Sequence, residues 1–165
     1  MTRGCVVAVL LALSGCGFHL RTWDVSTSVE SAYVVSNARN PLEEPLRRAL
    51  QQAGVAEAAS PREAEVVLEL LDSRQERRSV SVSEQARAAE YEMILAVQYR
   101  VTDGEGNELL APVWLERESI YRVDRDNLVG SSEEQALLER ELRDGLVQQM
   151  LRALNSLAVA SDHAA

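Results

Sequence analysis

The sequence predicts an α/β protein of the α+β type, a two-layer sandwich with two helices packed on one face of a four-stranded, mostly antiparallel sheet in the order β-α-β-β-β-α. Residues 89–102, and again 113–123, follow a period of two in which one face is mainly apolar, which is typical of strands. Two further segments place apolar residues at helical spacing, one before these strands and one after them. Helices that each bury one apolar stripe can cover one face of a sheet.

The first half of the chain contributes one strand and one helix. Residues 29–35 are predicted as a short strand. Asn40 as N-cap and Pro41 in the first turn predict a helix that begins near Glu44, and Gly54 predicts its C-terminal end. The stretch VAEAASPREAE that follows is predicted as a loop, because it has no apolar periodicity and contains a proline.

The next segment predicts a strand that leaves the core. Residues 66–71 (VVLELL) are apolar on both faces, whereas Arg74, Glu76 and Arg78 then alternate with other polar residues. One long strand that begins in the core and runs into solvent would have this pattern. The turn DGEGN joins the last two strands as an antiparallel hairpin.

The last element is predicted as a long amphipathic helix. Ser131 to Glu134 matches a capping box, which places the helix start at Ser131. Gly145 lies inside the helix, where we expect it to let the helix approach the sheet closely. Residues 158–165 are predicted as a disordered tail. The apolar stripe consists of Leu138, Leu142, Leu146, Met150, Leu154 and Leu157.

The N-terminal residues predict an export signal. The apolar run at residues 6–13 is too short to span a bilayer, which needs about 20 residues, and with Arg3 before it the run is typical of a signal peptide. The run ends Leu-Ser-Gly-Cys16, which resembles the lipobox of bacterial lipoproteins. That resemblance implies removal of residues 1–15, a diacylglycerol on the sulfur of Cys16, an acyl group on its new amino group, and residues 16–28 as lipidated N-terminus and tether. The alternative is an ordinary signal peptide that happens to contain a cysteine.

The composition of the mature chain excludes several functions. All 17 basic side chains are Arg, and removal of residues 1–15 leaves 16 of them against 26 acidic residues, a net charge of −10. This charge repels phosphate backbones and disfavours nucleic-acid binding. Loss of Cys5 with the signal peptide, and lipidation of Cys16, would leave no thiol for disulfides, redox chemistry or metal sites.

No pattern in the sequence points to an enzyme. Glu116 and Glu118 share a strand face and imitate a carboxylate pair, but a solvated face explains them better at this charge density. No nucleophile, phosphate-binding or zinc-binding motif occurs. His19 has no acidic, Cys or His partner at ligand spacing, so we expect no metal site, and no cofactor other than the lipid on Cys16.

Two motifs resemble the LPS-assembly lipoprotein LptE family. They are CGFHLR, residues 16–21, directly after the lipobox, and AEYEMILAV, residues 89–97. The resemblance covers the whole mature chain and implies an LptE-like α/β domain at 29–157. It also implies an outer-membrane location, which Gly17 favours because lipoproteins with Asp at that position tend to stay at the inner membrane.

The resemblance further implies a partner and a ligand. The partner is the large β-barrel LptD, which such a lipoprotein plugs and helps to assemble, and the pair delivers lipopolysaccharide to the outer leaflet. Family contacts to lipopolysaccharide are attributed to basic residues near the loop between the second and third strands and near the start of the last helix. In the first region this chain offers Arg77, Arg78 and Arg87, beside Glu84, whereas Ser131 and its neighbours include no basic residue.

Two alternatives stay open at the level of the sequence. Arg77 and Arg78 have a plain interpretation as solvated residues on an exposed strand end, paired with Glu76; Arg125 is a weaker candidate ligand. For the whole protein, the alternative is a free-standing, periplasm-facing lipoprotein that binds lipid or serves an ABC-type transport system.

Overall fold

A computed structural model of the chain describes residues 29–37, 39–82, 88–124 and 128–162. The signal peptide and tether predicted at 1–28 lie outside these ranges. The elements are β1 (Ser31–Ser36), α1 (Glu43–Gln52), β2 (Ala56–Glu57), a 3₁₀ turn (Pro61–Glu63), β3 (Val66–Val82), β4 (Ala88–Asp103), β5 (Glu108–Asp124) and α2 (Leu128–Asp162). They form one sheet in the order β2-β1-β3-β4-β5, with the β1 pairings parallel and the others antiparallel.

The sheet has five strands, so the prediction of four was wrong. The additional strand, β2, lies within the segment predicted as a loop. It forms because the Ala56 amide donates to the Glu30 carbonyl and the Ala58 amide donates to the Ala32 carbonyl, each at 3.0 Å. Two residues are too few to show alternation, so only tertiary pairing reveals this strand.

The helix α1 begins at Glu43 and ends before Gly54 as predicted, but the prediction of Asn40 as its N-cap was wrong: Leu42 holds that position, and Asn40 closes the preceding turn instead. The Leu42 amide donates to Asn40 Oδ1 at 3.0 Å in the turn that precedes the helix. Gly54 adopts φ 83°, and the Val55 amide donates to the Leu50 carbonyl at 3.0 Å, which closes the C-terminus as a Schellman motif. Leu46 and Leu50 then face the core.

The core forms around the alternating strand β4, as the sequence predicts. Its helix-side residues Met93, Leu95, Val97, Tyr99 and Val101 are all buried, and burial raises the pKa of Tyr99. The two helices cover this face with the side chains Leu46, Leu50, Leu142, Leu146, Met150 and Leu154.

The opposite face of β4 is also buried at its centre, although no described helix covers it. Ile94 is 2% exposed, and its neighbours in register are Glu76 on β3 and Glu118 on β5. The aliphatic stems of such long charged side chains can shield an apolar strip while their charged ends remain in water.

The strand β3 changes its relation to the core at a bulge. Leu68 and Leu70 face the helices, and a register shift between Leu70 and Asp72 then gives the helix-side positions to polar residues, beginning with Ser73. Since β1 pairs only with residues 66–70, no strand of the described chain pairs with the outer edge of β3 beyond this point. The prediction of a strand that runs from core to solvent is confirmed.

The helix α2 differs from its prediction at both ends. It starts at Leu128, three residues before the predicted capping box, and Ser131 Oγ instead accepts a hydrogen bond from the Asp124 amide at 3.0 Å. It continues through Asp162, so the segment predicted as a disordered tail is helical up to that residue. A helix of 35 residues is about 52 Å long and lies along the β4 and β5 strands.

Substitution of Gly104 by Ala tests how tightly the 3₁₀ turn packs on the β4–β5 hairpin. A Cβ atom at Gly104 would lie 2.5 Å from the Ala64 carbonyl oxygen and 3.2 Å from those of Arg62 and Pro61. Because backbone carbonyls cannot move aside cheaply, we expect G104A to lower the free energy of unfolding by about 1–3 kcal/mol. Urea denaturation followed by circular dichroism measures this change.

Gly145→Ala is the matched control. Its Cβ would meet only the end of a flexible side chain, Arg117 Nε at 2.6 Å and Cζ at 2.7 Å, and Ala gains about 1 kcal/mol of helix propensity over Gly. We therefore expect G145A to be neutral or stabilising. Equal destabilisation by both variants would contradict the close backbone packing at Gly104.

Candidate functional site

The predicted ligand residues Arg77 and Arg78 lie on opposite faces of the sheet. Arg77 is in register with the buried Met93, which places it on the helix side, whereas Arg78 is in register with Glu92 on the other side. Successive residues of a strand point to opposite faces, so the two do not form one basic cluster. Arg87, Arg125 and Cys16 lie outside the described residues.

Arg77 is exposed, and its guanidinium packs against the ring of Tyr91. Its guanidinium carbon lies 4.6 Å from the centroid of the Tyr91 ring, and the Tyr91 and Tyr121 rings are 5.9 Å apart. A side-chain hydrogen bond to Tyr121 raises the pKa of Arg77. None of the ion pairs found among the described residues involves this exposed side chain.

Arg78 belongs to a network of ion pairs on the face of the sheet that no described helix covers. Its Nε atom lies 3.8 Å from Glu92 and 3.9 Å from Glu76. Neighbouring pairs continue this pattern, Arg74 with Glu116 at 3.7 Å and Arg122 with Glu90 at 3.0 Å. A hydrogen bond from Ser81, together with Arg122, lowers the pKa of Glu90. The plain interpretation of Arg78, a solvated and paired residue, therefore fits its surroundings.

Glu116 and Glu118, which resemble a catalytic carboxylate pair in the sequence, lie on this same face of the sheet. Glu116 is paired with Arg74, whose guanidinium also lies over Trp114 at 4.5 Å. Glu118 lies two residues further along β5 on the same face and is also exposed. The arrangement is that of a solvated strand face.

A chain of polar contacts joins the sheet to the first half of α2 near Arg77. The Gln75 amide donates to Glu139 Oε1 at 3.1 Å, and the Gln135 amide donates to the same oxygen at 3.2 Å. The Tyr121 hydroxyl donates to Gln135 Oε1 at 3.3 Å. Sequence reasoning missed this network, because scattered amides and a single Tyr carry no periodic signal.

The described residues contain few other candidates for a ligand site. An open groove of about 380 Å³ separates the helices, with Arg48 on the α1 side and Asp144 on the α2 side. No group of three potential metal ligands occurs in the described ranges. No described helix is both long and apolar enough to cross a bilayer.

The topology separates the N-terminal entry from Arg77. Because β1 runs parallel to β3 with Ala32 beside Val66, the chain enters the domain at the start of β3. Arg77 lies eleven residues further along that strand, a distance of about 36 Å. We call the entry end the base and the opposite end of the three long strands the tip.

Comparison with solved structures identifies the same architecture in bacterial lipoproteins. A rare lipoprotein B from Shewanella oneidensis has a TM-score of 0.68 at 25% identity, over 81% of this chain and 99% of that one. A lipoprotein B from Nitrosomonas europaea also has a TM-score of 0.68, at 24% identity, over 87% of this chain and 94% of that one. The second comparison supports the fold alone.

Sequence comparison identifies relatives that carry one common name. A protein of Pectobacterium atrosepticum, named LPS-assembly lipoprotein LptE, is 29% identical over 154 residues, 90% of this chain and 80% of the relative. A protein of Photorhabdus laumondii with the same name is 27% identical over 150 residues, 88% of this chain and 80% of the relative. The model of the LptE family, described as lipopolysaccharide assembly, matches residues 22–154. Since this match spans most of the sequence, the chain belongs to the LptE family.

Proposed function

We propose that this chain is an outer-membrane lipoprotein that acts with the LptD β-barrel as its plug and assembly partner and takes part in delivering lipopolysaccharide to the outer leaflet. The observation that carries the proposal is the family match over residues 22–154. The curated relatives, named LPS-assembly lipoproteins, align with 88–90% of the chain and support the same function. A lipid on Cys16 would supply the membrane anchor.

The dimensions of the domain support a role across the membrane. The entry point of the tether at the base and Arg77 near the tip are about 36 Å apart along β3, and the hydrocarbon core of a bilayer is about 30 Å thick. A domain anchored at the inner leaflet and oriented along the axis of a barrel would therefore carry its tip to the level of the opposite leaflet. The thirteen residues 16–28 can span at most about 45 Å, which leaves room for this orientation.

Among the candidate lipopolysaccharide ligands, Arg77 is the one whose surroundings in the structure best suit binding. A guanidinium pairs bidentately with phosphate groups, such as those of lipid A, and no carboxylate in the described ranges forms an ion pair with Arg77 that a phosphate would have to displace. Arg78 would have to exchange Glu76 and Glu92 for the ligand. Arg87 remains a candidate by its position in the sequence.

Substitution of Cys16 by Ser tests the anchor. Without a sulfur atom at this position no thioether-linked diacylglycerol can form, so we expect loss of the acylated N-terminus in mass spectrometry and loss of the protein from the outer-membrane fraction. Cys5→Ser, within the predicted signal peptide, is the control and should leave both unchanged. A wild-type protein that retains residues 1–15, or that begins at Cys16 without acyl groups, would contradict the anchor.

Co-purification tests the partner. Tagged wild-type lipoprotein extracted from outer membranes in mild detergent should bring down a large β-barrel protein in about equal amount, and depletion of the lipoprotein should reduce the mature barrel and surface lipopolysaccharide. Recovery of no barrel, together with normal surface lipopolysaccharide after depletion, would instead favour a free-standing lipoprotein.

The pair Arg77→Gln and Arg78→Gln tests the ligand contact. Loss of one charge-assisted contact to phosphate should weaken lipopolysaccharide binding by R77Q about tenfold or more, whereas R78Q should change it by less than about threefold. Binding of the purified full-length lipoprotein to immobilised lipopolysaccharide measures both, and circular dichroism checks the fold. Equal effects of the two variants would contradict the proposal that Arg77, rather than Arg78, binds lipopolysaccharide.

A further inference from the structure

The first turns of α2 bury far fewer side chains than the rest of the helix. Between residues 129 and 137 only Ser131 is buried, and Val129 is 71% exposed. Six apolar side chains of the later turns are buried in the core, namely Leu142, Leu146, Val147, Met150, Leu151 and Leu154. Segments with few buried apolar contacts open locally at low free energy, so packing does little to fix where this helix begins.

The sequence of this segment also favours a different start. Gly130, Ser131 and Ser132 are weak helix formers, and the Ser132 hydroxyl donates to the Val129 carbonyl at 2.8 Å, a local bond of the kind that competes with regular helix structure. Ser131 followed by Glu134 is a capping box, in which Ser131 would be the N-cap. The sequence therefore encodes a helix whose first residue would be Ser132, four residues after the first helical residue in the structure.

The two starts require incompatible roles of Ser131. In the structure Ser131 is inside the helix, and its hydroxyl holds the end of β5 by accepting from the Asp124 amide at 3.0 Å. As an N-cap the same residue would leave the helical backbone conformation and its hydroxyl would accept from the Glu134 amide. One residue cannot adopt both conformations, so formation of one start abolishes the other.

We propose that the start of α2 is a two-state switch between a long helix, with Ser131 tied to Asp124, and a short helix capped by Ser131 with residues 128–130 unwound. The short state breaks the hydrogen bond between the Ser131 hydroxyl and the Asp124 amide at the end of β5. The switch is a property of the chain itself and does not depend on the proposed barrel partner.

Two opposing variants test the switch in the purified full-length lipoprotein in detergent micelles. Gly130→Ala strengthens the additional turn, whereas Ser131→Asp supplies a strong N-cap beside the Asp124 carboxylate. We expect G130A to slow hydrogen exchange of the Asp124 amide about fivefold, and S131D to accelerate it by a similar factor. In S131D the backbone chemical shifts of residues 128–130 should lose their helical values.

Amides of the core half of the helix separate the switch from general unfolding. Exchange of residues 146–154 should be unchanged in both variants, and Glu133→Ala, one residue from the capping position, should shift Asp124 by less than about twofold. Helical shifts at 128–130 in S131D, or changes of the Asp124 amide in the same direction in G130A and S131D, would overturn the proposal.

Discussion

The structure depends on the burial of one face of β4. This strand lies between β3 and β5, and its alternate side chains from Met93 to Val101 belong to the core that the helices cover, α2 over β4 and β5 and α1 over β1 and β2. Burial of each such side chain is worth about 1.5–3 kcal/mol, so β4 fixes the side of the sheet on which each helix must lie. The polar residues of the opposite face follow from the same alternation, because this face has no second layer among the described elements.

The three long strands extend further than the elements that cover them. β1 pairs with only five residues of β3, and the apolar part of α2 begins at Leu138. Beyond these limits polar contacts replace the core: the chain from Gln75 through Glu139 and Gln135 to Tyr121, and the bond between Ser131 and Asp124. The domain thus has a rigid base and a tip joined by hydrogen bonds, which is the end where conformational change is least costly.

This division between base and tip matches the proposed role in the LptE family. The chain enters at the base, where the tether begins, and the exposed Arg77 lies toward the other end on a platform of two tyrosines. In that proposal the anchor and the ligand contact lie at opposite ends of the domain. Arg78, from the same segment, is instead paired with Glu76 and Glu92 on the opposite face.

The sequence by itself determined the features that depend on local periodicity and capping. These were the alternation of β4 and β5, the end of α1 at Gly54, and the exit of β3 from the core. Only the tertiary structure decided the rest. β2 forms because the carbonyls of Glu30 and Ala32 accept hydrogen bonds from its segment. α2 starts at Leu128, and Ser131 binds Asp124 instead of capping the helix. The alternation separates Arg77 from Arg78, but their different partners, Tyr91 for one and Glu92 for the other, come from β4. The physical reason is that a sequence pattern reports which face a residue prefers, whereas the partner on that face comes from a distant part of the chain.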